Sequence, residues 1–183
     1  MKFTETPLRG ALVIDIEPIA DDRGYFSYFY CARQAAEHGI ATKVAQVKLS
    51  YNKRKGTLRG MHYQVPPAAE TKLVRCTRGA VWDVIVDLRP DSPTYLKNFG
   101  IELSAENHRT LHVPALFAHG YQALTDDAEV TYQVDEFYAP QHERGLRYDD
   151  PRLGLTWPLP ISVISPKDAS WPLVEPHGGP GLA

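Results

Sequence analysis

The chain has 183 residues, of which 43% are hydrophobic and 23% are charged. This size and balance are typical of one compact globular unit, so we predict a single domain over residues 1–183. The 20 Lys and Arg residues are offset by 22 Asp and Glu residues, giving a net charge of -2. That charge argues against a protein that binds nucleic acid polymers or carries a polybasic membrane anchor.

Three features of the sequence favour a cytoplasmic location. The two cysteines, Cys31 and Cys76, are too few for a disulfide framework and favour reduced thiols. No apolar run approaches the roughly 20 residues that a membrane-spanning helix needs. Residues 1–10 carry three charged side chains and lack the apolar centre of a secretory signal. We therefore expect a cytoplasmic protein with no membrane partner.

Short β-rich segments follow one another along the chain, separated by turns that use many of the 13 Gly and 15 Pro residues. In chain order, the predicted strands are 12–16, 25–30, 44–51, 58–64, 72–77, 80–87, 99–103, 110–113, 119–123 and 129–138. A short helix is predicted at 34–38, where helix-favouring residues cluster. The segment 81–86 is the most hydrophobic and is predicted to be a central strand.

The pattern as a whole predicts a mostly-β barrel or a double-sheet jelly roll with small helices. Polar and apolar residues alternate in 44–51, which is the period of a strand with one polar face. The tail after about residue 171 is rich in Gly and Pro and is predicted to be loosely ordered.

The segment 56–64, with the sequence GTLRGMHYQ, is the most unusual stretch. Strand alternation predicts that His62 and Gln64 share one face with Gly60, while Arg59 and Met61 share the other. His62 and Gln64 then point into the barrel together. From this stretch alone, a structural polar pair and a functional site are equally good interpretations.

The histidines raise the question of a metal site. His62, Gln64 and His119 would offer two good ligands at most, which is too few for tight zinc or iron binding. We therefore predict a metal-free pocket. His119 lies between Ala118 and Gly120, so a ligand has room to approach it, although a structural role explains this histidine better when it is taken alone.

Three other residues stand out by position, and each has a structural alternative. Lys72 opens an apolar strand, where its amine either faces a polar pocket or extends to solvent at the strand end. Tyr132 alternates with apolar residues and on its own is best explained as core. Asp168 follows a Pro-Lys pair near the end of the chain, where it suits a helix cap or a turn.

Three cations are candidates for binding a diphosphate: Arg23, Lys48 and Arg59. An arginine offers paired N–H donors that match phosphate oxygens. Each of the three, taken alone, is better explained as a solvated surface charge.

Taken together, these residues and their surroundings resemble the dTDP-4-dehydrorhamnose 3,5-epimerase family. The resemblance runs from about Asp21 to Asp168, and it depends on an ordered set of motifs, no one of which is specific alone. The motifs are Asp22–Phe26, Leu58–Gln64, Lys72–Val74, Trp82–Arg89 with Ser92–Pro93, Leu103–Asn107, Phe117–Gly120, Glu143–Gly145, Asp149–Pro151 and Ser165–Asp168.

The resemblance implies a cupin-like jelly-roll homodimer that works without cofactor or metal. Such enzymes invert carbon 3, carbon 5 or both of a nucleotide-linked 4-keto-6-deoxyhexose in deoxysugar biosynthesis. His62 matches the family's base, Asp168 the carboxylate that pairs with it, and Tyr132 the acid on the opposite face of the sugar. Lys72 matches the residue beside the keto oxygen, where a cation stabilises the enolate.

The resemblance also implies a set of substrate-binding residues. They are Arg23, Phe26, Tyr28, Gln46, Lys48, Arg59, His119, Tyr138, Glu143 and Lys167. Two of them depart from the family pattern, since Tyr28 replaces a Glu that helps to hold the thymine base and Lys48 replaces an Asn. These departures predict another nucleotide sugar, or reaction at one carbon only.

Three other functions are weighed against this one. A single-carbon epimerase acting on a non-thymidine sugar, for example a CDP sugar, fits the two departures. A non-catalytic sugar-nucleotide binding module has no need of the acid–base set, and this counts against it. A metal-dependent cupin oxygenase or isomerase is disfavoured by Gln64, which stands where such enzymes place a second histidine.

Overall fold

A computed structural model describes residues 1–174 of the protein. Its strands are β1 Lys2–Glu5, β2 Leu12–Asp15, β3 Ile19–Asp21, β4 Gly24–Phe26, β5 Gln46–Asn52, β6 Thr57–Gln64, β7 Lys72–Arg78, β8 Ala80–Asp87, β9 Asn98–Ser104, β10 Thr110–Val113, β11 Phe117–Ala123, β12 Ala128–Val134, β13 Glu143–Gly145 and β14 Val163–Ile164. The helices are α1 Ala32–Glu37 and α2 Pro166–Ala169, and a 3-10 turn covers Pro140–His142. No helix within residues 1–174 is long and apolar enough to cross a membrane.

Two sheets form the body of the molecule. The first has the strand order β1-β2-β10-β7-β12-β5, and the second has the order β13-β6-β11-β8-β9 with β14 added beside β6. Strands β3 and β4 form a separate hairpin. Within residues 1–174 no strand pairing joins the two large sheets, so the architecture is the double-sheet jelly roll. The predicted all-β, cupin-like fold with a few short helices is confirmed.

The main core lies between the two sheets. Side chains from both sheets meet there, among them Val74, Ile85, Leu111 and Phe117. Strand β11 is buried along its whole length because a second apolar cluster covers the outer face of its sheet. The first sheet is covered on its outer face near β2 by α1, through Ala35.

The C-terminal segment supplies the cover on the second sheet. Leu146, Leu153 and Val174 pack there against Met61 and the neighbouring strands. The chain is therefore anchored as far as residue 174. Residues 175–183, which hold most of the tail predicted to be loosely ordered, lie outside the described residues.

Strand positions agree with the predicted pattern where segments are long, and two predicted strands are longer than the observed ones. β8 has a partner on each side, as predicted for a central strand. The segment predicted as a strand at 25–30 is a strand only over Gly24–Phe26. The strand predicted at 129–138 ends at Val134.

The polar face of β5 points inward, towards the space between the sheets. Lys48 and Ser50 line that space, whereas Val47 and Leu49 are exposed on the outer face. This is the reverse of the usual arrangement, in which the apolar face of a strand is the buried one. The inward polar face therefore places the charged side chain of Lys48 inside the molecule, and the outward face exposes apolar side chains.

A bulge in β6 corrects one prediction. Alternation places Arg59 and His62 on opposite faces, and that prediction is wrong, because both line the space between the sheets. Between two paired positions, Gly60 and Met61 of β6 stand against Gly120 alone on β11. The extra residue shifts the alternation, as bulges do. Met61 consequently turns outward into the second apolar cluster.

Only a glycine fits at position 60. Its φ is +127°, and an added Cβ would lie 2.5 Å from the Cα of Gly120. Gly24 has nearly the same φ, +129°, but nothing lies within 4 Å of its ideal Cβ position. A substitution at either glycine therefore strains the backbone to a similar degree, but only a substitution at Gly60 also creates a steric clash.

We predict that Gly60→Ala lowers the free energy of unfolding by at least about 2 kcal/mol more than Gly24→Ala does. The reason is that the Gly60 methyl meets backbone, which can move away only by opening the β6–β11 pair. Urea unfolding of the two variants and the wild type measures the difference. Equal losses in the two variants would show that Gly60 is needed only for its φ.

Candidate active site

A cavity of about 180 Å³ opens between the two sheets. Its walls come from β5, β7 and β12 on one side and from β6, β11 and β13 on the other. We call it the central cavity. Its lining residues are Lys48, Ser50, Arg59, His62, Tyr63, Gln64, Glu70, Lys72, His119, Gly120, Tyr121, Tyr132, Tyr138 and Glu143.

A histidine–carboxylate pair lies in the β6 wall. The Nε2 atom of His62 is 2.7 Å from Oδ1 of Asp168, whose other oxygen accepts a hydrogen bond of 3.2 Å from the Gly60 N–H. Asp168 is held in α2 because Ser165 caps this helix by accepting a bond from the Asp168 N–H. Within residues 1–174, the Nδ1 atom of His62 has no hydrogen-bond partner, so it is available to a ligand.

Asp168 is suited to remain ionised. Burial raises the pKa of this carboxyl, but hydrogen bonds from His62 and Gly60 and the nearby His62 charge outweigh burial. The net effect holds the pKa of Asp168 below its usual value. A permanent carboxylate on Nε2 fixes the orientation of the His62 ring and stabilises a proton taken up at Nδ1.

Tyr132 lies in the opposite wall, on β12. Burial is the main reason that the pKa of its phenol is raised, and the neighbouring Tyr121 and Glu70 raise it further. The phenol therefore keeps its proton near neutral pH and can donate it. His62 and Tyr132 belong to different sheets, so a ligand in the central cavity has a base on one side and an acid on the other.

Lys72 brings an ammonium group into the buried part of the central cavity. Its Nζ is 3.3 Å from Oε1 of Glu70 and donates a weak hydrogen bond of 3.5 Å to the His62 carbonyl. The alternative in which Lys72 extends to solvent is wrong, because the residue is buried. Lys48 lies near the same carboxylate, with its Nζ 3.9 Å from Oε2.

The positive charge of Lys48 is partly destabilised in this setting. Burial lowers the pKa of its ammonium, Glu70 and Glu143 oppose that effect, and the charge of Lys72 adds to it. The ammonium also lies over the rings of Tyr132 and Tyr138, at 5.9 Å and 5.6 Å from their centroids. A lysine at this position is therefore attracted to any further anion that enters the cavity.

A second histidine–carboxylate pair lies deeper, on β11 and β8. Nε2 of His119 is 3.0 Å and 2.9 Å from the two oxygens of Asp83, which is fully buried. Sequence reasoning identified His119 and missed Asp83. The available signal was a charged residue in the middle of the apolar strand 81–86, where burial requires a partner.

Residues at the rim of the central cavity form a hydrogen-bonded group. Oε2 of Glu143 accepts hydrogen bonds from Lys167 at 2.5 Å and from the Tyr138 hydroxyl at 2.8 Å. Gln46 accepts a bond of 3.0 Å from the Tyr138 N–H. Gln46 and Lys167 thus support the rim without lining the cavity. Arg59 lines another part of the central cavity, where its Nε donates a 2.8 Å hydrogen bond to Oδ1 of Asn52.

Three of the predicted binding residues are not at the central cavity of their own chain: Arg23, Phe26 and Tyr28. They belong to a segment that we call the hairpin arm, residues 19–29, which includes β3 and β4. The Arg23 side chain is 90% exposed and pairs with Asp21, while Phe26 and Tyr28 are both exposed.

Gln64 has a structural role. Its amide nitrogen donates to the carbonyls of Ala68 and Phe137, and its oxygen accepts from the Ala139 N–H. These bonds tie two loops to β6. The structural interpretation therefore explains Gln64, whereas His62 pairs with Asp168 at the wall of the central cavity. Within residues 1–174, no group of three or more His, Cys, Asp or Glu side chains is placed to hold a metal ion.

The double-sheet jelly roll places this protein in the class of cupin-like epimerases. The family model described as dTDP-4-dehydrorhamnose 3,5-epimerase matches residues 5–175. A protein named dTDP-4-dehydrorhamnose 3,5-epimerase from Sinorhizobium fredii is 42% identical over 173 residues, which cover 94% of this chain and 89% of that protein. The chain belongs to this family, and it is an isomerase of the epimerase type.

Solved structures of similar proteins share the fold of this chain. A dTDP-4-dehydrorhamnose 3,5-epimerase from Bacillus anthracis with TDP and PPi bound has a TM-score of 0.90 and 40% identity, covering 94% of this chain and 99% of that one. A 3'-monoepimerase from Streptomyces bikiniensis in complex with dTDP-quinovose has a TM-score of 0.83 and 31% identity, covering 92% of this chain and 85% of that one.

Proposed function

We propose that this protein inverts carbons 3 and 5 of a dTDP-linked 4-keto-6-deoxyhexose in deoxysugar biosynthesis. One observation carries the proposal, namely that a His62–Asp168 pair and Tyr132 face each other across one cavity that also holds the Lys72 ammonium. Catalysis requires His62, Asp168, Tyr132 and Lys72 and needs neither cofactor nor metal. The substrate is supported by the relatives, which are named for dTDP sugars.

Proton removal is the first step. A hydrogen beside a ketone is weakly acidic because the electron pair that it leaves delocalises onto the keto oxygen as an enolate. Nδ1 of His62 takes this proton, and the Asp168 carboxylate stabilises the resulting imidazolium. The Lys72 ammonium stabilises the charge that develops on the enolate oxygen.

Proton return from the opposite side completes the inversion. The Tyr132 phenol donates its proton to the carbon of the enolate while the electron pair returns from oxygen. The sugar gains and loses one proton, so the net reaction is an isomerisation, and His62 and Tyr132 then exchange protons with solvent. One acid and one base serve both carbons because carbons 3 and 5 flank the same ketone.

The remaining lining groups are assigned to binding. Arg59, Lys48 and Lys167 bring positive charge to the rim and walls of the central cavity, which suits the diphosphate. His119, Tyr138, Gln46 and Glu143 bind or support the sugar-nucleotide.

Reaction at one carbon is the second candidate. The likeness to the 3'-monoepimerase, which is 31% identical to this chain, favours this alternative. It ranks second because the 3,5-epimerases cited above are more similar to this chain, at 40% and 42% identity.

Proton NMR in deuterated water with dTDP-4-keto-6-deoxyglucose tests the function. We predict that wild-type enzyme incorporates deuterium at both carbon 3 and carbon 5. His62→Ala, which removes the base, is expected to slow both exchanges by at least about 10³-fold. Deuterium at one carbon would establish the monoepimerase alternative. Binding without exchange would establish a non-catalytic binding module, and preference for a CDP sugar would correct the assigned base.

The protein is further proposed to act as a homodimer in the cytoplasm, with residues 1–183 forming one domain. The two cysteines are unpaired, as expected in a reducing compartment. Dimerisation is supported by the outer face of β5, where Val47 and Leu49 are 60% and 62% exposed, and by the apolar hairpin arm. Apolar patches of this kind mark interaction surfaces.

A dimer also accounts for the three binding residues that lie away from the cavity. The hairpin arm contacts its own chain at Tyr25, which is bonded to His108, and at Phe29, which packs on Arg75. Phe26 and Tyr28, in contrast, are exposed. We propose that the arm lies on the second copy, where Arg23, Phe26 and Tyr28 meet that copy's substrate.

Light scattering coupled to size exclusion tests the dimer. Wild type is expected at twice the chain mass of 20.5 kDa. Leu49→Lys is expected to shift the protein to monomer at micromolar concentration because it places a charge in the interface. The matched control is Leu173→Lys, a residue 42% exposed on the C-terminal segment, which should remain dimeric. A monomeric wild type, or a dimeric Leu49→Lys, would contradict the assignment.

A further inference from the structure

Glu70 is an acidic residue buried in the wall of the central cavity. It lies in the loop between β6 and β7, and its side chain is only 8% exposed. The mechanism above gives it no role, and the sequence analysis did not single it out. Burying a carboxylate costs free energy unless hydrogen bonds or opposite charges offset the loss of water. The groups around Glu70 therefore indicate its role.

The two oxygens of Glu70 have different surroundings. Oε1 is paired with the Lys72 ammonium at 3.3 Å. Oε2 is 3.9 Å from the Lys48 ammonium, which is beyond hydrogen-bonding distance, and no residue within 1–174 donates a hydrogen bond to it. An unsatisfied buried acceptor costs free energy, and a ligand that donates to it recovers that cost on binding.

The charge of the group limits what kind of ligand atom fits. A carboxylate oxygen repels a phosphate, so the diphosphate cannot bind against Oε2. A sugar hydroxyl is neutral and can donate. The position of Glu70 beside Lys72, the residue assigned to the keto oxygen, places Oε2 at the sugar end of the substrate.

We propose that Glu70 is a specificity-determining residue whose Oε2 accepts a hydrogen bond from a ring hydroxyl of the bound sugar. Its Oε1 meanwhile holds the Lys72 ammonium. This inference rests on the proposed function, because it takes the ligand to be a nucleotide-linked hexose. It deepens that function by selecting sugars that carry a hydroxyl at carbon 2 or carbon 3 over deoxygenated ones.

Calorimetric binding of two ligands, dTDP and dTDP-quinovose, tests the inference, with the ratio of their affinities as the readout. Wild type is expected to prefer the sugar-bearing ligand. Glu70→Met, similar in length but without an acceptor, is expected to lose about tenfold of that preference. Glu70→Gln, which keeps a neutral acceptor, is expected to lose about threefold, and neither variant should weaken dTDP binding. The matched control is Glu106→Gln, an exposed turn residue, which should keep the wild-type ratio.

A ligand series keeps the test independent of variant folding. With wild type, the 2-deoxy or the 3-deoxy form of dTDP-quinovose is expected to bind about tenfold more weakly than the parent. With Glu70→Met, the same deletion is expected to cost less than twofold, because the carboxylate and the hydroxyl act as one pair. The inference is overturned if neither hydroxyl deletion weakens binding to the wild type. It is also overturned if a deletion lowers the affinity of wild type and Glu70→Met by the same factor.

The two failures are distinguishable. Absence of deuterium exchange by wild type contradicts the proposed function, whatever the affinities. Normal exchange together with an affinity ratio that is unchanged in Glu70→Met contradicts only the role of Glu70.

Discussion

The hydrogen bond between His62 and Asp168 joins two parts of the molecule that are 106 residues apart in sequence. It connects the bulged strand β6 with the short helix α2, and the same carboxylate also accepts the Gly60 N–H. The C-terminal segment covers one face of the second sheet with apolar side chains and also orients the His62 ring through Asp168. The orientation of His62 consequently depends on the packing of that segment, because a change that loosens the segment also releases the His62 ring from Asp168.

The second constraint is electrostatic. The walls of the central cavity carry three cationic side chains, Lys48, Arg59 and Lys72. Two carboxylates, Glu70 and Glu143, lie in the same walls and offset part of this positive charge. The chain is almost neutral overall, so the attraction for a diphosphate is local and reaches only a ligand that enters the cavity. Compensation by Glu70 also keeps the two ammonium groups of Lys48 and Lys72 close together, which their mutual repulsion would otherwise oppose.

Sequence reasoning assigned His62, Lys72 and Tyr132 through the resemblance of their motifs to the family, and all three line the central cavity. Strand alternation alone favoured a core position for Tyr132. It placed Arg59 on the wrong face because a bulge depends on the close approach of two strands, although a glycine inside a strand was a signal for it. Sequence reasoning assigned Arg23 and Tyr28 to substrate binding, whereas the structure leaves both exposed on the hairpin arm, away from the central cavity. It passed over Glu70 because the direction of a loop side chain is decided by tertiary packing. Strands of two to four residues, such as β13 and β14, are too short to show a period.

The central claim is that His62 removes a proton from one side of the sugar and Tyr132 returns one from the other side. The variant Tyr132→Phe tests this claim most directly. Deuterium entry into the unconverted sugar and formation of the inverted sugar are followed in the same NMR sample. The account predicts that exchange continues within about threefold of wild type, because His62 still removes and returns the proton on its own side. Inversion is predicted to fall by at least about 100-fold. Inversion that keeps pace with exchange in this variant would contradict the assignment of Tyr132 as the acid.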